Sequence, residues 1–242
     1  MTDHTTTAHA PSVAPGVGRI VITGGASGLG AAIADAVAAA GGIPIVLDRV
    51  VPDATPYETH EADVSETRAL ESLVNRIAGE HDGLDGVVTA AGIDRCGRLE
   101  DVDGNEWERV IRVNLLGTAA AVRAALPHLE ASGGRIVTVA STLAVKGVSD
   151  ATAYCASKFG VLGFSRALAA ETKGRVGVTT LIPGGMSTHF FDDRDEQYRP
   201  GVDAKLNAPE HVARAVVFAL SQPDGCEIRE LLVSHSEESS WP

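Results

Sequence analysis

Short β-branched runs alternate with longer stretches in which apolar residues recur at helical spacing, and the alternation runs from Arg19 almost to the end of the chain. Residues 19–23 read as a buried strand, 31–40 as an Ala-rich helix closed by Gly41-Gly42, and 43–47 as a second strand. A short strand at 57–60 leads to Asp63-Val64, and Ser65 is placed to cap a helix reaching about Gly79. Strands follow at 84–89, 134–140, 176–182 and 228–233, the third of these stopped by Pro183-Gly184-Gly185. Between them lie helical segments over 105–129, from about residue 152, and over 208–220. Strand alternating with helix predicts an α/β fold: a doubly wound, mostly parallel seven-stranded sheet with helices on both faces.

At 242 residues and 44% hydrophobic content, the chain suits one such domain over residues 17–242. Residues 1–16 are polar and rich in Thr, His and Pro, which predicts a disordered tail rather than a targeting segment. No run of about 20 uninterrupted apolar residues occurs, so no membrane span or membrane partner is expected. A net charge of −12 without a basic cluster argues against nucleic-acid binding. Cys96, Cys155 and Cys226 are scattered and odd in number, as expected of reduced thiols in a cytoplasmic protein. The eight histidines lack metal-ligand spacing, so no protein-built metal site is expected.

Gly24, Gly28 and Gly30 fall between the first strand and the first helix. Glycines there allow tight turning and close backbone approach, and a helix N-terminus offers N–H groups and partial positive charge to a pyrophosphate. The strand-turn-helix context that dinucleotide binding needs is therefore present, with Ser27 and Leu29 inside the loop. Asp48 ends the second strand, 18 residues after Gly30. A carboxylate at that point accepts bonds from the adenosine ribose and repels a 2′-phosphate, which selects NAD over NADP. Arg49 beside it pulls the other way, because a guanidinium can accommodate that phosphate. In such sheets ligands bind outside the carboxyl ends of strands, where Ala90-Ala91-Gly92, Ser141 and Pro183-Gly184 also fall.

Tyr154 and Lys158 are four residues apart in a helix-forming stretch, hence on one face and one turn apart. A tyrosine pKa of about 10 is too high for ready proton transfer near neutrality, and a fixed positive charge nearby favours the phenolate. The spacing alone is common on solvated helices. Its company gives it meaning.

Together these residues resemble the short-chain dehydrogenase/reductase family, single-domain Rossmann branch, over about residues 17–234. Thr23-Gly24-x-x-x-Gly28-x-Gly30 is similar to that family's cofactor loop, and Asp63-Val64 to its adenine contact. Asn114, Ser141, Tyr154 and Lys158 match its four catalytic positions in order, with Tyr154 13 residues after Ser141. The resemblance implies that Tyr154 is the acid/base and that Ser141 holds the reacting oxygen. It implies that Lys158 lowers the Tyr154 pKa and binds the nicotinamide ribose. Asn114 would hold a helix distortion and a water leading from Lys158 to solvent. Thr89 departs from the family, standing where an asparagine often braces the sheet; a hydroxyl can make some of those bonds. Cys155 is expected as a small buried filler.

The irregular segment 186–207 resembles the family's substrate lid, with Met186 and Thr188 at the cofactor. Met186, Phe190 and Phe191 either close an apolar pocket opposite Leu143 and Val145 or pack the lid itself. The terminal Trp241-Pro242 departs from the family's glycine-rich ending; Trp241 either packs at a subunit boundary or frays. The resemblance implies a homodimer or homotetramer, a small alcohol or ketone substrate, and an NAD-dependent oxidoreductase interconverting a secondary alcohol and a ketone. An NADPH-dependent ketoreductase and a non-catalytic dinucleotide sensor are the alternatives.

Overall fold

The computed structural model describes residues 16–238, 240 and 241. The tail expected over 1–16 lies outside the described residues except for Gly16, and so does Pro242. Seven parallel strands form one sheet: β1 (Arg19–Thr23), β2 (Ile43–Asp48), β3 (Glu58–Glu61), β4 (Gly86–Thr89), β5 (Arg135–Val139), β6 (Gly177–Pro183) and β7 (Glu230–Val233). Their order across the sheet is β3-β2-β1-β4-β5-β6-β7. The chain leaves β1 toward β2 on one side and later returns to β4 on the other. The carboxyl ends of β1 and β4 therefore open a crevice at the reversal of strand order.

The strands are continuous apolar runs because both faces are covered. Successive residues point to opposite faces, so Val21 joins one core while Ile20 and Ile22 join the other. α1 (Gly28–Ala39) and α6 (Pro209–Leu220) pack together over the Ile20/Ile22 face. α2 (Thr67–Glu80), α4 (Thr118–Ser132) and α5 (Thr152–Glu171) cover the other face. Each fully buried Ile or Leu contributes about 1.5–3 kcal/mol relative to exposure. Ser65 does not cap α2; its N–H and hydroxyl both donate to Asp63 Oδ1, and the helix begins at Thr67.

α3 (Gly104–Ile111) runs through a π-helical segment, Arg112–Gly117, straight into α4. This 104–132 helix is long and apolar enough by length and composition to cross a membrane, yet 56% of its most apolar window is buried in the fold, where α4 packs on α2. It is a core helix.

Candidate active site

The glycine loop is shaped by contacts that side chains would destroy. A Cβ on Gly24, at φ +70°, would lie 2.6 Å from the Ala91 Cα, and one on Gly30 would lie 2.0 Å from the Gly24 carbonyl oxygen. β1 and the loop after β4 thus meet backbone to backbone, and the N-terminus of α1 is left facing a cleft of about 640 Å³. Ser27 makes no side-chain cap, and no acidic residue occupies the first turn of α1. An anion-binding helix end is therefore available. The cofactor residues expected from sequence line this single cleft, from Gly24 through Asp48, Asp63 and Gly92 to Pro183 and Thr188.

At the tip of β2, Asp48 is held by the backbone. Its Oδ2 accepts from the Ala26 N–H at 3.0 Å and its Oδ1 from the Val50 N–H at 3.2 Å. Arg49 is exposed beside it. One oxygen of Asp63 is engaged by Ser65, whose hydrogen bonds, with Arg49 and Arg109 nearby, outweigh burial and keep the carboxyl below the usual range. Val64 packs under Gly117, which is why that end of the π segment has no side chain.

Asn114 is fully buried inside the π segment, beneath the cleft rather than on its wall. Its Oδ1 accepts from the Ile93 N–H at 2.8 Å, while its Nδ2 donates to the Ile93 carbonyl and the Ser157 Oγ, both at 2.9 Å. Ser157 Oγ in turn donates to the Tyr154 carbonyl at 2.8 Å. Asn114 therefore rivets the segment after β4 to the first turns of α5. A Cβ on Gly92 would fall 3.5 Å from Asn114 Oδ1 and 3.6 Å from Lys158 Nζ, which places Gly92 directly between those two side chains.

Ser141, just beyond β5, accepts from the Leu143 N–H at 3.1 Å, and its hydroxyl lies close enough to the Tyr154 phenol to oppose the effect of burial on it. Lys158 Nζ lies 5.6 Å from the Tyr154 ring centroid and donates to the Val139 carbonyl at 2.8 Å. Both side chains are almost fully buried. Burial pushes the phenol above its ordinary value, with the Ser141 hydroxyl opposing. Burial also pushes the Lys158 ammonium down to about 8, with the Asp94 carboxylate opposing. Desolvation outweighs charge assistance because both groups sit where water is excluded.

Three further expectations change. Thr89 does not brace the sheet: its buried hydroxyl has no partner among the described residues, and Thr23 Oγ1 instead accepts from the Ala91 N–H at 3.3 Å. Val145 is 38% exposed and off the cleft wall, whereas Leu143, Met186, Phe190 and Phe191 are on it. Cys155 is only half-buried.

Residues the sequence did not single out also reach the cleft. Glu238 Oε2 accepts from the Gly185 N–H at 2.9 Å, and Ser240 Oγ is 2.6 Å from Thr142 Oγ1, so the C-terminal segment folds back over the mouth while Trp241 stays exposed. Asp94 and Arg194 meet there too. The departure of the terminus from the usual ending was a signal for the first pair. For Arg194, 100 residues from Asp94, there was none. Among the described residues no group of His, Cys, Asp or Glu is arranged to hold a metal ion.

A doubly wound sheet with a glycine-lined crevice and a Ser-Tyr pair at its closed end defines a nucleotide-dependent oxidoreductase. The short-chain dehydrogenase family model matches residues 19–199, and the chain belongs to that family, which uses nicotinamide dinucleotides. It is similar to the D-threitol dehydrogenase of Mycolicibacterium smegmatis, 33% identical over 83% of this chain and 85% of that one. It is also similar to the L-fucose dehydrogenase of Mus musculus, 31% identical over 92% of this chain and 89% of that one. Among solved structures, the ligand-free aldohexose dehydrogenase of Thermoplasma acidophilum superposes with a TM-score of 0.82 at 26% identity, covering 89% of this chain and 92% of that one. The alcohol dehydrogenase of Thermococcus sibiricus, solved with 5-hydroxy-NADP, gives 0.79 at 26% identity, covering 89% and 95%.

Proposed function

We propose that this protein is an NAD-dependent dehydrogenase interconverting a secondary alcohol and a ketone, with Tyr154 as acid/base. The observation that carries the reading is the gathering of Ser141, Tyr154 and Lys158 in the same cleft whose wall includes the glycine loop and Asp48. The residues fit a dinucleotide: Gly24 and Gly30 keep open a cradle that a Cβ would fill, and the N-terminus of α1 faces it.

In the ketone-reducing direction, Ser141 holds the substrate carbonyl oxygen and the Tyr154 phenol, kept protonated by burial, gives it a proton; oxidation of the alcohol returns that proton to the phenolate. A bound nicotinamide dinucleotide would supply the hydride in one direction and accept it in the other. Lys158, beside Tyr154, would offer a donor to the nicotinamide ribose. Asn114, through Ser157, fixes the turn of α5 that carries Tyr154. Met186, Phe190 and Phe191 give the substrate end apolar walls, while Asp94, Glu238 and Ser240 add polar ones. That mixture suits an alcohol carrying further hydroxyls, in keeping with the polyol and sugar named for the relatives. Assembly into a homo-oligomer through exposed Leu116 and Phe159, on the packed π segment and α5, belongs to the same proposal.

An NADPH-dependent ketoreductase is the second reading, favoured by exposed Arg49 and by the neighbour solved with an NADP analogue. The deciding experiment for the chemistry is Tyr154→Phe, assayed with D-threitol, L-fucose and 2-butanol. Nucleotide affinity should stay within a few-fold while turnover falls by about 10²–10⁴. Near-normal turnover would reject Tyr154 as the acid/base.

A further inference from the structure

One buried charged group of the cleft takes no part in the proton transfer. Asp94, two residues beyond Gly92, has a side chain only 4% exposed. Its Oδ1 accepts from the Arg95 N–H at 2.7 Å, and its Oδ2 accepts from Arg194 Nη2 at 2.7 Å and from Cys96 Sγ at 3.3 Å. Arg194 comes from the middle of segment 186–207, and its side chain is 18% exposed. The pair lines the same cleft as Tyr154 and Lys158, and the carboxylate acts electrostatically on both.

Segment 186–207 is pinned at its neck and stapled within itself. The Ser187 N–H donates to the Asn207 carbonyl at 2.8 Å, and the Asn207 N–H to the Gly185 carbonyl at 3.0 Å. Arg194 Nη1 donates to the Tyr198 carbonyl at 3.3 Å, and Arg199 Nε to the Arg194 carbonyl at 2.7 Å. A side-chain ion pair, Arg194–Asp94, ties it to the body of the protein, and Tyr198 stands near Asp150. The Arg194 guanidinium also covers two rings, 4.6 Å from the Phe191 centroid and 5.3 Å from that of Phe190. Phe190 in turn stands 5.8 Å from the Tyr154 ring.

We propose that Arg194 is a positioning residue: its ion pair with Asp94 latches segment 186–207 over Tyr154 and holds Phe190 as a wall of the alcohol chamber. The proposal rests on Tyr154 being the acid/base. A guanidinium is suited to this because its flat face stacks on aromatic rings while its edge hydrogen-bonds a carboxylate. An ammonium has no flat face to stack on the rings while it reaches the carboxylate. Asp94 supplies the driving force, since opening the segment leaves a buried carboxylate without its cation beside the phenol. Closure restores the pair and sets the chamber width in the same movement.

The test is hydrogen exchange, read by mass spectrometry, on the full chain and on Arg194→Met, Arg194→Lys, Asp94→Asn, Tyr198→Phe and the double variant Asp94→Asn/Arg194→Met. Amides of 187–206 should exchange about tenfold faster or more in Arg194→Met and in Asp94→Asn, with β4 and α5 unchanged. The double variant should be no faster than Arg194→Met alone, because the two residues act as one unit. Arg194→Lys should recover part of the protection, and Tyr198→Phe should lose little. On whichever of D-threitol, L-fucose and 2-butanol the wild type oxidises fastest, Arg194→Met should raise KM more than it lowers kcat. Unchanged exchange in 187–206, additive effects in the double variant, or faster exchange throughout the chain would each overturn the latch. The exchange measurement needs neither nucleotide nor alcohol, so its failure is separable from that of the Tyr154→Phe assay.

Discussion

Lys158 Nζ stands 5.6 Å from the centre of the Tyr154 ring and donates its hydrogen bond to the Val139 carbonyl. The amine is thus fastened to the end of β5, and both groups are largely buried in the wall of the same cleft. Proximity on one helix face has brought them together, while desolvation governs their ionisation.

That relationship has a consequence for stability. Burial holds the Lys158 pKa at about 8, against 10.5 unperturbed. Between those values the unfolded chain keeps a proton that the folded chain has released, so this group makes stability rise with pH. Below pH 8 both states are protonated and the burial cost is fully felt. Lys158→Met should therefore be more stable than wild type near pH 7, with the advantage shrinking by about 3 kcal/mol as pH climbs through the window. Urea denaturation at pH 7, 8, 9 and 10 measures this; a constant difference would show that Lys158 is not desolvated as described.

Thr89 carries a buried hydroxyl with no partner among the described residues. Thr89→Val keeps the shape and removes the unsatisfied group, so it should stabilise the fold by about 1 kcal/mol. A lower midpoint in urea would mean that the hydroxyl is satisfied in solution.

At Gly30 an added methyl would meet the Gly24 carbonyl oxygen at 2.0 Å, a backbone atom with no room to retreat. Gly30→Ala should lower nucleotide affinity about tenfold or more and cost several kcal/mol of stability. Gly28→Ala meets only the Thr188 side chain, at 3.5 Å, so its cost should be the left-handed backbone strain of about 1–2 kcal/mol. Equal effects in calorimetry and NADH titration would refute the distinction.

Asp48 is fixed by two backbone N–H groups where the adenosine ribose is proposed to lie. Asp48→Ser should shift the NADH/NADPH affinity ratio at least about tenfold toward NADPH. Fluorescence titration of both nucleotides reads it, and an unmoved ratio would remove Asp48 as the selector.

Much of this arrangement was legible in the chain. Strands 19–23 and 43–47 lie within or match β1 and β2 because continuous apolar β-branched runs fit a sheet covered on both faces. The glycines after β1 point to a backbone crossing that only they permit. Ser65 misled, since its hydroxyl is taken by Asp63, two residues away, before it can cap. The distance from Asp94 to Arg194 hides their pairing, and nothing local in either segment demands it.

Periodicity, glycine placement and the Asn-Ser-Tyr-Lys series by themselves determined the order of elements, the parallel sheet and the crevice end where the chemistry gathers, because these follow from rules acting over a few residues. Tertiary structure alone decided the protonation balance of Tyr154 and Lys158, the orphaning of Thr89, the return of the terminus to Gly185 and the seating of Arg194 on Asp94. Each depends on how much water is left around a group and which distant chain segment reaches it, and neither quantity is written in local sequence.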